Sequence, residues 1–140
     1  MTEILNAADV EVGQALPPFR RLTDLGSWNR YAAVNDEFVA IHMDDAAGRA
    51  AGLPGAIGMG HLQLAYLHNI VREWLGEAGR IEQLECQFRA PNTRGQVVTA
   101  RGVVTGVERG DGVRVELEVW TEGEDGTRLA PGRCIVRLDA

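Results

Sequence analysis

"HLQLAYLHNIVREWLG", His61 to Gly76, is the stretch on which the fold turns. Leu64, Leu67, Val71 and Trp74 recur at helical spacing and form one stripe, which Leu62, Ala65, Tyr66, Ile70 and Leu75 widen. Apolar groups nearly surround the cylinder, so the run predicts a helix buried by a sheet rather than one lying on a surface. Beyond Gly79 the period drops to two. Leu84, Cys86 and Phe88 alternate with Glu85, Gln87 and Arg89, and Val113, Val115, Leu117 and Val119 alternate with Arg114, Glu116 and Glu118. Residues 97–107 carry two partly apolar sets, and Cys134, Val136 and Leu138 close the chain. RGDG (109–112) and EGEDG (122–126) are turn chemistry, which makes the strands antiparallel hairpins. The expectation is an α+β domain, residues 1–140, whose antiparallel sheet wraps around one central helix.

Upstream of that helix the chain predicts two shorter ones. TDLGSWNRYAAV (23–34) places Leu25, Trp28, Tyr31 and Ala32 at helical spacing, with Ser27, the only serine, as its cap. Asp44 or Asp45 caps DAAGRAAG, which ends at Gly52 before Pro54. Trp74 and Trp120 read as core or interface aromatics.

Composition removes several kinds of function. A chain of 140 residues buries about 70 % of its unfolded surface and needs no staples. Net charge of −6 argues against nucleic acid. There is no long uncharged apolar run to cross a membrane, and MTEILNAADVEVG lacks the basic and apolar segments of a signal peptide. All fourteen basic residues are arginine, which excludes Schiff-base lysine chemistry and a lysine-bearing phosphate loop. Ser27 lacks the glycine-flanked turn of a serine nucleophile. His61 and His68, seven apart, lack zinc spacing, so no metal is expected. Cys86 and Cys134 sit at apolar strand positions and read as reduced thiols of a cytoplasmic protein rather than a disulfide.

Two features could carry chemistry. GAIGMG (55–60) leaves backbone uncovered where the long helix starts, and a helix start offers free amides and partial positive charge to an oxyanion. The alternative is a tight crossing that needs small residues. NDEFVAIHMDD (35–45) brackets an apolar run between Asp36-Glu37 and His42. A carboxylate and an imidazole brought over the helix start suit proton transfer beside a carbonyl; the alternative is a solvated loop with an ordinary histidine.

The stretch RYAAVNDEFVAIHMDDAAGRAAGLPGAIGMG resembles the hydratase motif of the MaoC-like, (R)-specific enoyl-CoA hydratases and dehydratases. Tyr31-Ala32, Ile41-His42, Asp44, Gly52, Ile57 and Gly60 match that motif in order and spacing, and FRAPNTRGQVVTARGVVTGV (88–107) is similar to the family's strand pair. The resemblance runs from about residue 11 to the end. It implies a hotdog fold, usually dimeric through its sheet edges, that hydrates trans-2-enoyl thioesters to (R)-3-hydroxyacyl thioesters or runs the reverse dehydration. It also implies roles. Glu37, five residues before His42, joins the histidine in activating a water, and the Gly60 amide holds the thioester oxygen beside Ile57; from its place next to Gly60, His61 reads as lining the pocket mouth, and Met59, in place of the family's histidine, as a soft filler of the acyl tunnel. The acyl group would arrive on CoA or an acyl-carrier protein, with Arg89 and Arg94 available to CoA phosphates. No cofactor is implied.

The chain departs from the motif at four places. Asp36 stands where the family has glycine, Glu37 replaces the shorter aspartate, Val39-Ala40 replaces Asn-Pro, and Met59 replaces a histidine. Asp36 becomes the working acid if the loop bulges by one residue. The departures leave three options: an active hydratase with altered substrate, a silent subunit paired with an active hotdog chain, or an acyl thioesterase.

Overall fold

The long apolar run forms helix α3 (Gly60–Leu75) in the computed structural model, which describes residues 4–139. The first three residues of the stretch read for a signal peptide lie outside that range. Gln63, Tyr66, Leu67, Ile70, Val71 and Leu75 are buried, and this face lies on the sheet. The opposite side is open, with His61, His68, Arg72 and Glu73 exposed. The apolar count therefore overstated how fully the helix is enclosed. It also marked Leu64, which is half-buried, and passed over Gln63, which is buried.

The sheet has five antiparallel strands: β1 (Phe19–Leu22), β2 (Gly79–Cys86), β3 (Val97–Gly110), β4 (Gly112–Glu122) and β5 (Arg128–Leu138), in the order β1-β3-β4-β5-β2. β4 shows why alternation reads so clearly, since Val113, Val115, Leu117 and Val119 all turn inward and their neighbours do not. On β3 the structure selects between the two apolar sets: Val98, Ala100, Gly102 and Val104 are buried. Phe88, expected to continue β2, lies beyond its end. β1 had no sequence signal. Its four residues hold two arginines, and pairing from Phe19↔Ala100 to Leu22↔Val97 is what makes it a strand.

Before α3 come α1 (Leu25–Asn35), a 3₁₀ turn (Ala40–His42) and α2 (Asp45–Ala50). Asp24, not Ser27, caps α1, its carboxylate accepting from the Ser27 amide at 2.9 Å. The helix starts one turn before the sequence reading placed its cap. Asp44 caps α2 by accepting from Ala46 N–H at 2.9 Å. α3 differs, because its N-cap, Met59, makes no side-chain capping bond.

The main core joins Leu67, Ile70 and Val71 of α3 to Val104, Val115 and Leu117 of the sheet. A second, smaller core, made of Trp28, Ala32, Ala56 and Met59, seats α1 beside the start of α3. A curled antiparallel sheet holding one long helix is the hotdog fold.

Candidate active site

His42 ends the 3₁₀ turn and is only 8 % exposed. Its Nδ1 lies 2.8 Å from the carbonyl oxygen of Ile57. A carbonyl can only accept, so Nδ1–H donates, which in a neutral imidazole leaves the lone pair on Nε2. The Ile57 N–H in turn donates to Ile41 O at 2.9 Å, which ties the histidine turn to the glycine run from both sides. Burial and this bond fix the ring in one orientation and one tautomer.

The next residue anchors the other wall. Gly58 N–H donates to Asn92 O at 2.8 Å. The buried Asn92 Nδ2 donates to Thr23 Oγ1 at 2.8 Å and to Gln96 Oε1 at 3.1 Å. The 88–96 loop is thereby held against the entrance to α1. Between these walls opens a cleft of about 320 Å³, which His42, Gly60 and Gln63 reach from one side and Phe88, Pro91 and Leu129 from the other. The uncapped start of α3 lies in it, so first-turn amides and the positive end of the helix dipole are available to a carbonyl oxygen. A fixed imidazole lone pair and an amide donor on one apolar cleft can move a proton and hold a developing enolate.

Within the glycine run, Gly58 and Gly60 both stand against close neighbours. A methyl group on Gly58 would lie 2.6 Å from Asn92 Oδ1 and 3.0 Å from Trp28 Nε1, so a close crossing requires glycine. A methyl on Gly60 would meet the Phe88 ring at 2.7 Å, just where the helix start faces the cleft.

Residues 14–124 match the family described as MaoC like domain. The chain belongs to the MaoC-like domain family. It is a family of hydratases and dehydratases, and the solved structures this MaoC-like chain resembles share its fold. The (R)-hydratase from A. caviae involved in PHA biosynthesis is 23 % identical with a TM-score of 0.84, over 93 % of this chain and 98 % of that one. R-hydratase PhaJ1 from Pseudomonas aeruginosa is 18 % identical with a TM-score of 0.85, over 95 % and 84 %. The ChsH1–ChsH2 complex from Mycobacterium tuberculosis gives 20 % and 0.81, over 91 % and 98 %. Comparison with curated proteins finds no match.

The other expected site residues of this MaoC-like domain fall in three places. Ile57 and Gly60 line the cleft with His42. His61 is exposed at its rim, edge-on to Phe88 with ring centroids 6.5 Å apart. Met59, expected in an acyl tunnel, is instead fully buried where it packs with Trp28, Ala32 and Ala56, and it does not line the cleft. Neither acid lines the cleft. Asp36 is exposed and ends α1 in the left-handed region at φ 51°, its N–H donating to Ala32 O. Glu37 is half-buried and accepts from Asn35 Nδ2 at 3.2 Å. Arg94 is paired with Asp45 at 2.8 Å, while Arg89 lines the cleft. Sequence reasoning missed Gln63 and Asn92. A polar residue inside an apolar helical stripe was the available signal for Gln63; Asn92, in a loop, had none.

Proposed function

We propose that this MaoC-like chain hydrates trans-2-enoyl thioesters of CoA or an acyl-carrier protein to (R)-3-hydroxyacyl thioesters, or runs the reverse dehydration. The observation that carries the reading is the buried His42, its Nδ1–H held by Ile57, in the same cleft as the uncapped start of α3. The thioester oxygen takes the Gly60 amide. Water forms a bond to C3 and gives its proton to His42 Nε2, while the C2=C3 electron pair moves onto the thioester as an enolate held by that amide. The enolate collapses as His42 Nε2–H gives that proton to C2, which returns the ring to its starting state. Glu37, five residues before His42 on the same loop, is assigned to orient the water, with Asp36 as its alternate, and either carboxylate has to turn from its place off the cleft to do so. His61 borders the mouth and Arg89 faces the CoA phosphates. Two thiols, Cys86 and Cys134, with no disulfide between them suit a cytoplasmic setting.

Exposed Val34, Phe38 and Val39 flank the acid-bearing loop, and β2 leaves a sheet edge unpaired. Both features support pairing with a second hotdog chain, as a homodimer or a heteromer. One observation favours a second reading, a silent subunit of a heteromeric hydratase: no carboxylate lines the cleft among the described residues.

A panel of enoyl-CoA substrates tests these readings with wild type, His42→Ala, Glu37→Gln and Asp36→Asn. Turnover by wild type should fall by roughly a hundredfold or more in His42→Ala. Full activity in His42→Ala would remove the histidine from the mechanism. Turnover that appears only after mixing with a second hotdog chain would establish the silent-subunit reading. Release of free CoA thiol would point to a thioesterase.

A further inference from the structure

Gln63 lies one helical turn beyond Gly60 on α3 and lines the same cleft. It is 4 % exposed, and its Oε1 has no hydrogen-bond partner among the described residues. Two of the cleft's other side-chain donors are already engaged. Asn92 Nδ2 is held by Thr23 and Gln96, and His42 Nδ1 by Ile57. Around Gln63 the helix face is otherwise apolar, with Tyr66 and Leu67 next along it. An aliphatic side chain would suit that face better than a carboxamide with an unpaired carbonyl. Gln63 lines the cleft, so the donor its carbonyl lacks is one that a ligand in the cleft would bring.

Two polar demands thus stand one turn apart. The amides at Gly60 need an acceptor, and Gln63 needs a donor. Three residues at the helical rise separate them by about 4.5 Å along the axis. A β-hydroxyacyl thioester carries a carbonyl oxygen and, two carbons further on, a hydroxyl, which matches both the chemistry and the reach. An enoyl or saturated acyl group offers the carbonyl and no donor.

We propose that Gln63 is a specificity-determining residue that accepts a hydrogen bond from the 3-hydroxyl of a bound 3-hydroxyacyl thioester, so that the cleft favours the hydroxylated acyl group over its saturated counterpart. The inference rests on the thioester reading above and goes beyond it by assigning the hydroxyl its partner.

Calorimetric titration of the His42→Ala protein, used so that bound ligand is not turned over, provides the test. The ligands are (R)-3-hydroxybutyryl-CoA against butyryl-CoA, and the corresponding eight-carbon pair. The hydroxylated ligand should bind roughly tenfold or more tightly in at least one pair. Adding Gln63→Leu should abolish that preference and leave butyryl-CoA affinity equal or higher, whereas Gln63→Glu, which keeps an acceptor, should retain it. Should Gln63→Leu fail to give a cooperative thermal melt, Gln63→Met replaces it. A preference that persists without the carboxamide, or one absent from the parent protein although both ligands bind, overturns the Gln63 assignment and leaves the hydratase reading standing. Failure of the parent to bind any of the four thioesters overturns both.

Discussion

Gly58 and Gly60 are two residues apart, yet the same substitution should have different consequences at each. A methyl on Gly58 meets Asn92 Oδ1 and Trp28 Nε1, and neither can retreat. Asn92 is anchored by Thr23 and Gln96, and Trp28 is fully buried. Gly58→Ala should lower the unfolding free energy by about 1–3 kcal/mol, as overpacking does. The atoms nearest a methyl on Gly60 all belong to the Phe88 ring, which is 55 % exposed and free to swing outward. Gly60→Ala should stay within about 0.5 kcal/mol of wild type. Urea unfolding of both variants decides the matter; equal losses would mean that the two neighbours yield alike. His42 and Gly60 were legible as candidates because a histidine at a fixed offset from an acid, and a glycine at a helix start, are local patterns. Gln63 was not: an isolated polar residue in an apolar stripe looks like a gap in periodicity until the cleft beside it is seen.

Among the elements, helix capping separates structural helices from the one that faces the site. Asp24 and Asp44 close α1 and α2, whereas α3 opens uncapped onto the cleft. The Ser27 amide holds the Asp24 carboxyl below its ordinary 3.8. A depressed pKa contributes stability that is present above the unfolded value and is lost as pH falls through the folded one. Asp24→Ala should therefore lower Tm at pH 7, and its deficit against wild type should shrink as pH drops below about 3.8. Thermal melts across that range check it; a deficit that stays constant in acid would rule out the carboxylate as the source. Strands β3, β4 and β5 were readable because burial on a sheet alternates with every residue. β1 was not, because a short edge strand is defined by its partner and not by its own side chains.

For the molecule as a whole, the sheet's inner face and α3 create an interior dry enough to perturb ionisation. Burial pushes the Cys134 thiol up to about 12 from an ordinary 9.0. The folded state then holds its proton more tightly than the unfolded chain, so this contribution is complete below pH 9.0 and is lost as pH rises toward about 12. Unfolding free energy should decline over that window, by up to about 4 kcal/mol from this group. Cys134→Ala should remove most of the slope, with a residual one from Cys86, Tyr31 and Tyr66, which burial also raises. Denaturation at a series of alkaline pH values measures it, and an unchanged slope in Cys134→Ala would assign the effect elsewhere. What the amino-acid order determined by itself was periodic: a helix after the glycine run, strands after Gly79, and a histidine set before both, since side-chain spacing alone encodes which face of an element is apolar. Only the tertiary structure decided which polar groups meet. The Asn92–Thr23 bond spans 69 residues, His42 turns onto Ile57, Met59 turns into the Trp28 core, and Asp36 and Glu37 lie off the cleft. The reason is physical: local spacing sets local geometry, whereas a hydrogen-bond partner across the chain is chosen by how separate segments close-pack around one another.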